Sequence, residues 1–128
     1  MTDTILDAKQ MAEIATQYTE SISNHDIEAI CNLFAADAIQ EDPVGNEPRI
    51  GIDAIREFFQ AGSSHIIKAE LMGSARCAGN ALAFPLAVIF GAEGSEMKLE
   101  AIDVFEFNED GKIQSMKAYW GADNCSSL

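Results

Sequence analysis

Positive charge is scarce in this chain. Its 128 residues include only 8 Lys and Arg against 21 Asp and Glu, a formal charge of -13. That balance repels nucleic acid and anionic membrane surfaces, so the expected ligand is neutral, apolar or cationic. Cysteine is sparse too. Cys31, Cys77 and Cys125 are odd in number, widely spaced and without a CxxC pair. They read as reduced thiols of a cytoplasmic protein, with neither a disulfide framework nor a zinc site. The two histidines, His25 and His65, stand isolated without metal-ligand spacing and are expected to be solvated. No Gly-rich phosphate loop and no serine-nucleophile motif is visible. The start, MTDTILDAKQ, lacks a basic stretch followed by a long apolar run, so no signal peptide is expected. No segment approaches the length needed to span a bilayer, and no membrane partner is expected.

What remains is enough for one well-packed domain. Nearly half the residues (48%) are apolar, and 128 residues can bury a real core, so residues 1–128 read as a single globular unit. A first helix is expected from about Asp7 to Ser23, with Met11, Ile14, Ala15, Tyr18 and Ile22 on one stripe. Asn24 or Asp26 caps a second helix, with Ile27, Ile30, Leu33 and Phe34 inward and an end near Asp37. A short extended piece, Ala38 to Asp42, is stopped by Pro43, which pushes the preceding residue out of the helical region. The loop VGNEPRIG leads to a third helix, Asp53 to Ala61, which presents Ile55, Phe58 and Phe59 before Gly62 ends it.

Strands follow: Ile66 to Cys77, Ala81 to Phe90, Met97 to Phe107, and Lys112 to Trp120 beyond an Asp110-Gly111 hairpin signal. Helices first and an antiparallel meander afterwards make an α+β domain, a curved antiparallel sheet wrapped by three N-terminal helices. Such a sheet encloses an apolar pocket.

The third strand, MKLEAIDVFEF, carries the feature of most interest. At a period of two, Met97, Leu99, Ala101, Asp103, Phe105 and Phe107 share one face. Asp103 thus stands among apolar residues with no cation nearby in sequence. An ionised carboxylate there is costly, so its pKa should rise. The same pattern also admits an Asp paired with a distant side chain. Tyr18 lies on the inner stripe of its helix, where a phenol needs a hydrogen-bond partner unless its hydroxyl reaches the rim.

Five stretches in register then become informative together: Asp26-Ile27-Glu28-Ala29-Ile30, Glu41-Asp42-Pro43-Val44-Gly45, Ala54-Ile55-Arg56-Glu57-Phe58-Phe59, Ile102-Asp103-Val104-Phe105 and Ala118-Tyr119-Trp120. In this order and spacing the chain resembles the bacterial Δ5-3-ketosteroid isomerases, small cone-shaped domains of the nuclear-transport-factor-2-like fold. The resemblance implies roles. Asp42 matches the general base that carries a proton from C4 to C6 of a steroid. Tyr18 and a protonated Asp103 match the two donors to the C3 oxygen. A carboxylic acid held neutral in an apolar site is a known property of that family, and it comes with the resemblance. The resemblance also implies a homodimer and no cofactor. Asp before Pro is otherwise a common turn residue, so the role of Asp42 rests on the resemblance alone.

The chemistry requires groups of these kinds. Deprotonation beside a ketone builds negative charge on its oxygen, which two fixed donors in a dry site stabilise. The base must reach both carbons and be weak enough to return the proton. A steroid is apolar, so Phe84, Leu86, Val88, Leu99, Ala101, Met116 and Trp120 are candidate walls, some of which serve as ordinary core. Phe34 and Phe59 stand where many relatives carry further tyrosines. They are expected to pack as apolar walls near the Tyr18 ring and to leave it without supporting hydroxyls. Two other functions fit the same fold: a SnoaL-like polyketide cyclase or hydrolase, and a non-catalytic module that binds an apolar ligand.

Overall fold

A computed structural model describes residues 4–128. Helix α1 (Ala8–Ser23) begins at Asp7 through a capping box. The Asp7 carboxylate accepts from the Gln10 backbone N–H at 2.8 Å, and the Gln10 side-chain oxygen accepts from the Asp7 N–H at 2.9 Å. Its stripe of Met11, Ala15, Tyr18 and Ile22 is buried. Ser23 closes α1 against the sheet, because its hydroxyl both donates to and accepts from the Ala69 backbone at 2.9 Å.

Helix α2 (Ile27–Cys31) is capped by Asp26, whose side chain accepts from Ala29 N–H. It is shorter than its sequence suggests. The chain leaves it at Asn32, and Phe34–Glu41 form strand β1. Ala35, Ala36 and Ala38 favour a helix locally, but pairing with a distant strand overrides them. Phe34 is therefore a strand residue. Strand β2 (Arg49–Ile50) forms within VGNEPRIG and pairs antiparallel with β1. Gly51 then turns the chain at φ +91°, a conformation open essentially to glycine, and caps α3 (Ile52–Ser63). This helix runs through Gly62, which does not end it. Arg56 ties α3 to α2, because its Nε and Nη2 donate to the two Glu28 carboxylate oxygens at 3.0 and 3.2 Å.

The expected first long strand is broken into β3 (Ile66–Leu71) and β4 (Arg76–Ala78), with Met72–Ala75 irregular between them. Both pair with β5 (Ala81–Phe90). Strand β6 (Met97–Phe107) joins β5 to β7 (Ile113–Tyr119), and a short terminal strand β8 (Cys125–Ser127) pairs with β6. The sheet order is β2-β1-β7-β6-β5-β3. The meander is antiparallel, as the alternation indicates, but β7 meets β1 in parallel, Phe34 opposite Ile113 and Gln40 opposite Met116. One parallel pair makes the sheet mixed. It also brings Asp42, just past the end of β1, beside Trp120, just past the end of β7. Among the described residues, no helix is long and apolar enough to cross a membrane.

Candidate active site

The odd-numbered face of β6 points inward, as its alternation predicts. Asp103 is 3% exposed, while its neighbour Ile102 stands on the outer face. Register across the sheet places Val88 opposite Leu99, Leu86 opposite Ala101 and Phe84 opposite Asp103, each pair sharing a face. Burial deepens along that series until Phe84 is sealed. Asp103 therefore lies at the deep end of a wall whose open end is Val88 and Leu99.

Tyr18, 2% exposed, closes the deep end from α1. Its ring meets Phe105 edge-on at 5.2 Å, Phe59 at 6.1 Å and Phe84 at 6.2 Å. Phe59 thus packs at the tyrosine as the sequence suggests, whereas Phe34 packs against Phe59 and Phe105 one layer further back. Asp42 enters from the rim of the sheet. The Trp120 indole N–H donates to its Oδ1 at 2.8 Å. The loop beyond it is pinned by Val44 N–H donating to Ala118 O at 2.8 Å.

These side chains surround one cavity of about 440 Å³, within the usual range of small-molecule sites. Tyr18, Asp42 and Asp103 all line it. Among the candidate walls, Phe59, Leu86, Val88, Leu99, Ala101 and Trp120 line it as well. Phe34, Phe84 and Met116 do not. Phe34 and Phe84 sit in the aromatic cluster, and Met116 lies on β7 directly opposite Gln40 of β1, whose amide N–H it receives at its sulfur, 3.6 Å away. The sheet's inner face continues past the cavity into solid core, so facing inward does not distinguish wall from core. Ile22, Phe58, Ile66 and Arg49 also line the cavity and were not among the sequence candidates.

The electrostatics divide the two carboxyls. Burial, and then the charge of Asp42, push the Asp103 pKa well above the ordinary carboxylate range. Burial raises Asp42 too, but its hydrogen bond from Trp120 and the nearby Arg49 charge oppose the rise. Burial is also the largest reason that Tyr18 holds its proton well above the ordinary phenol range, followed by the charges of Asp103 and Asp42. The arrangement can thus present two protonated donors at its deep end and one less perturbed carboxylate beside them. Outside the site, His25 and His65 are exposed, and the three cysteines are free thiols.

Comparison with known proteins agrees with this architecture. Residues 15–116 match the model of the SnoaL-like domain. A steroid Delta-isomerase of Nocardioides simplex is 36% identical over 115 residues, 90% of this chain and 92% of that protein. Epoxide hydrolase LasB of Streptomyces lasalocidi is 29% identical over 120 residues, covering 89% of this chain but only 42% of that longer protein. Among solved structures, SalBIII, described as an epoxide hydrolase/cyclase-like enzyme of pyran ring formation in the polyether salinomycin, superposes with a TM-score of 0.87. It is 29% identical, and the match covers 95% of this chain and 98% of that one. The chain therefore belongs to the SnoaL-like family and has the nuclear-transport-factor-2-like fold.

Proposed function

We propose that this protein is a steroid Δ5-isomerase. The carrying observation is that Tyr18, Asp42 and Asp103 line one largely apolar cavity in which burial pushes the Asp103 pKa well above the ordinary carboxylate range. The 3-oxo group of a Δ5 steroid accepts hydrogen bonds from Tyr18 and Asp103. The Asp42 carboxylate removes a proton from C4, the electrons shift into a dienolate, and the two donors stabilise the charge on its oxygen. Protonated Asp42 then delivers the proton to C6, leaving the double bond at C4–C5. Trp120 keeps the Asp42 carboxylate oriented during both transfers. The apolar rows of β5 and β6 give the steroid rings their contact. Likeness to the Nocardioides isomerase over most of both chains supports this reading.

The test is direct. Purified protein given 5-androstene-3,17-dione should generate the ultraviolet absorbance of the conjugated enone, with or without a chelator. No turnover at high enzyme concentration would overturn the proposal. A second reading is favoured by the likeness to LasB and SalBIII. In it, the same protonated donors bond an epoxide oxygen while Asp42 serves as base to the attacking nucleophile. Epoxide opening without steroid turnover would support this second reading.

The outer face of the sheet suits a second copy of the chain. Ile102 and Tyr119 are cross-strand neighbours, each about half exposed, beside the exposed Met72. Contiguous apolar area of this kind marks an association surface. Sedimentation should give about twice the 13.8 kDa chain mass, and Ile102→Glu should shift the population to monomer. A wild-type monomer at micromolar concentration would contradict the homodimer.

A further inference from the structure

Strand β2 is inside out. Gln40 pairs with Arg49 and Ile39 with Ile50. Directly opposed residues share a face, so Arg49 stands with the fully buried Gln40, while Ile50 faces outward, 72% exposed. A one-residue slip would exchange the two, but Gly51 N–H donating to Ala38 O at 2.8 Å fixes the register. The pairing therefore turns a cation toward an apolar cavity and an isoleucine toward water. Such a reversal of the local rule is characteristic of functional positions.

The guanidinium is also unclaimed. The ion pairs among the described residues are Arg56 with Glu28, Arg56 with Asp53, and Lys68 with Glu70. Arg49 instead lies over the Phe58 ring, 4.2 Å from its centroid. Its Nη1 is buried without a hydrogen-bond partner. Contact with the ring face attracts the cation but supplies no acceptor for its N–H groups. A buried donor without an acceptor is costly, and this one lines the cavity. Arg49 is half-buried, whereas Tyr18 and Asp103 are sealed at the deep end.

We infer that Arg49 determines specificity by binding a carboxylate on the part of the substrate remote from its C3 carbonyl. The preferred substrate is then a 3-oxo-Δ5 steroid with an acidic side chain. This rests on the isomerase reading above. A carboxylate suits the vacant planar fork, which can donate two parallel hydrogen bonds. With a formal charge of -13, the protein repels anions at long range, so an acidic ligand needs a local cation of this kind.

The experiment compares three steroids: a 3-oxo-Δ5 steroid whose C17 side chain ends in a carboxylate, its methyl ester, and 5-androstene-3,17-dione. It measures kcat/KM for each, and the affinity for the corresponding Δ4 products through the fluorescence of Trp120, the one tryptophan. The wild type should favour the acid over its ester roughly 10- to 100-fold, the range of a charge-assisted hydrogen bond. Arg49→Met should erase that ratio, and Arg49→Lys should restore part of it. No acid preference in the wild type overturns the inference without need of any variant. So does an Arg49→Met variant that shifts the pH profile equally on acid and ester while keeping their ratio, since Arg49 would then act only on Asp42. If the acidic Δ4 product binds in an Arg49-dependent way but no Δ5 steroid is isomerised, the isomerase reading fails and the carboxylate site stands.

Discussion

Asp42→Asn should keep the fold and lower kcat about 10²-fold or much more, the scale of general acid-base catalysis. Asparagine preserves the shape of the side chain and an oxygen that can accept from the Trp120 indole, so the 2.8 Å contact and the course of the loop should persist. What it cannot do is take a proton from C4. Binding of a Δ4 steroid should survive, which separates lost chemistry from a lost site. The pH dependence carries the same information. Asp42 acts ionised, and burial raises its pKa, so wild-type kcat/KM should rise as pH climbs through that raised value. In Asp42→Asn this limb should vanish. Full activity in the variant would mean that another group moves the proton.

Asp103→Ala should cost roughly 10²–10³-fold in kcat, as expected for loss of one oxyanion donor, while Asp103→Asn, still a donor, should cost less. Stability should move the other way. A buried carboxyl whose folded pKa is raised loses stability as pH rises from its unfolded value, near 3.9, through the folded one. Asp103→Asn removes that dependence. The variant should therefore melt higher than the wild type at neutral pH, with the gap closing below about pH 4. Each kcal/mol gained corresponds to about 3–5 °C in Tm for a chain of this size. A lower Tm in Asp103→Asn, with turnover per folded molecule intact, would instead identify Asp103 as half of a structural ion pair.

The parts legible in the sequence were those with sustained periodicity. Eleven residues of alternation in β6 were enough to place Asp103 inward, and a stripe of about three turns, Met11 to Ile22, placed Tyr18. Local preference misleads where a distant partner decides. Ala35, Ala36 and Asp37 extend the apparent second helix, yet parallel pairing with β7 draws Phe34–Glu41 into the sheet. The same pairing brings Asp42 to Trp120, a proximity that nothing local encodes. Periodicity also fails for β2, because two residues have no pattern, so Arg49 could not be assigned to the cavity. Phe34, Phe84 and Met116 face inward like the wall residues, and only the packed depth of the sheet separates core from cavity.

The most direct measurement of the central claim uses 5-androstene-3,17-dione deuterated at C4, converted in ordinary water and analysed for the position of the label. If Asp42 carries the proton from C4 to C6 inside a cavity lined by apolar side chains, the Δ4 product should carry deuterium at C6 well above background. A Δ4 product without deuterium at C6, its C6 hydrogen drawn wholly from solvent, would contradict a single shielded carboxylate as the shuttle.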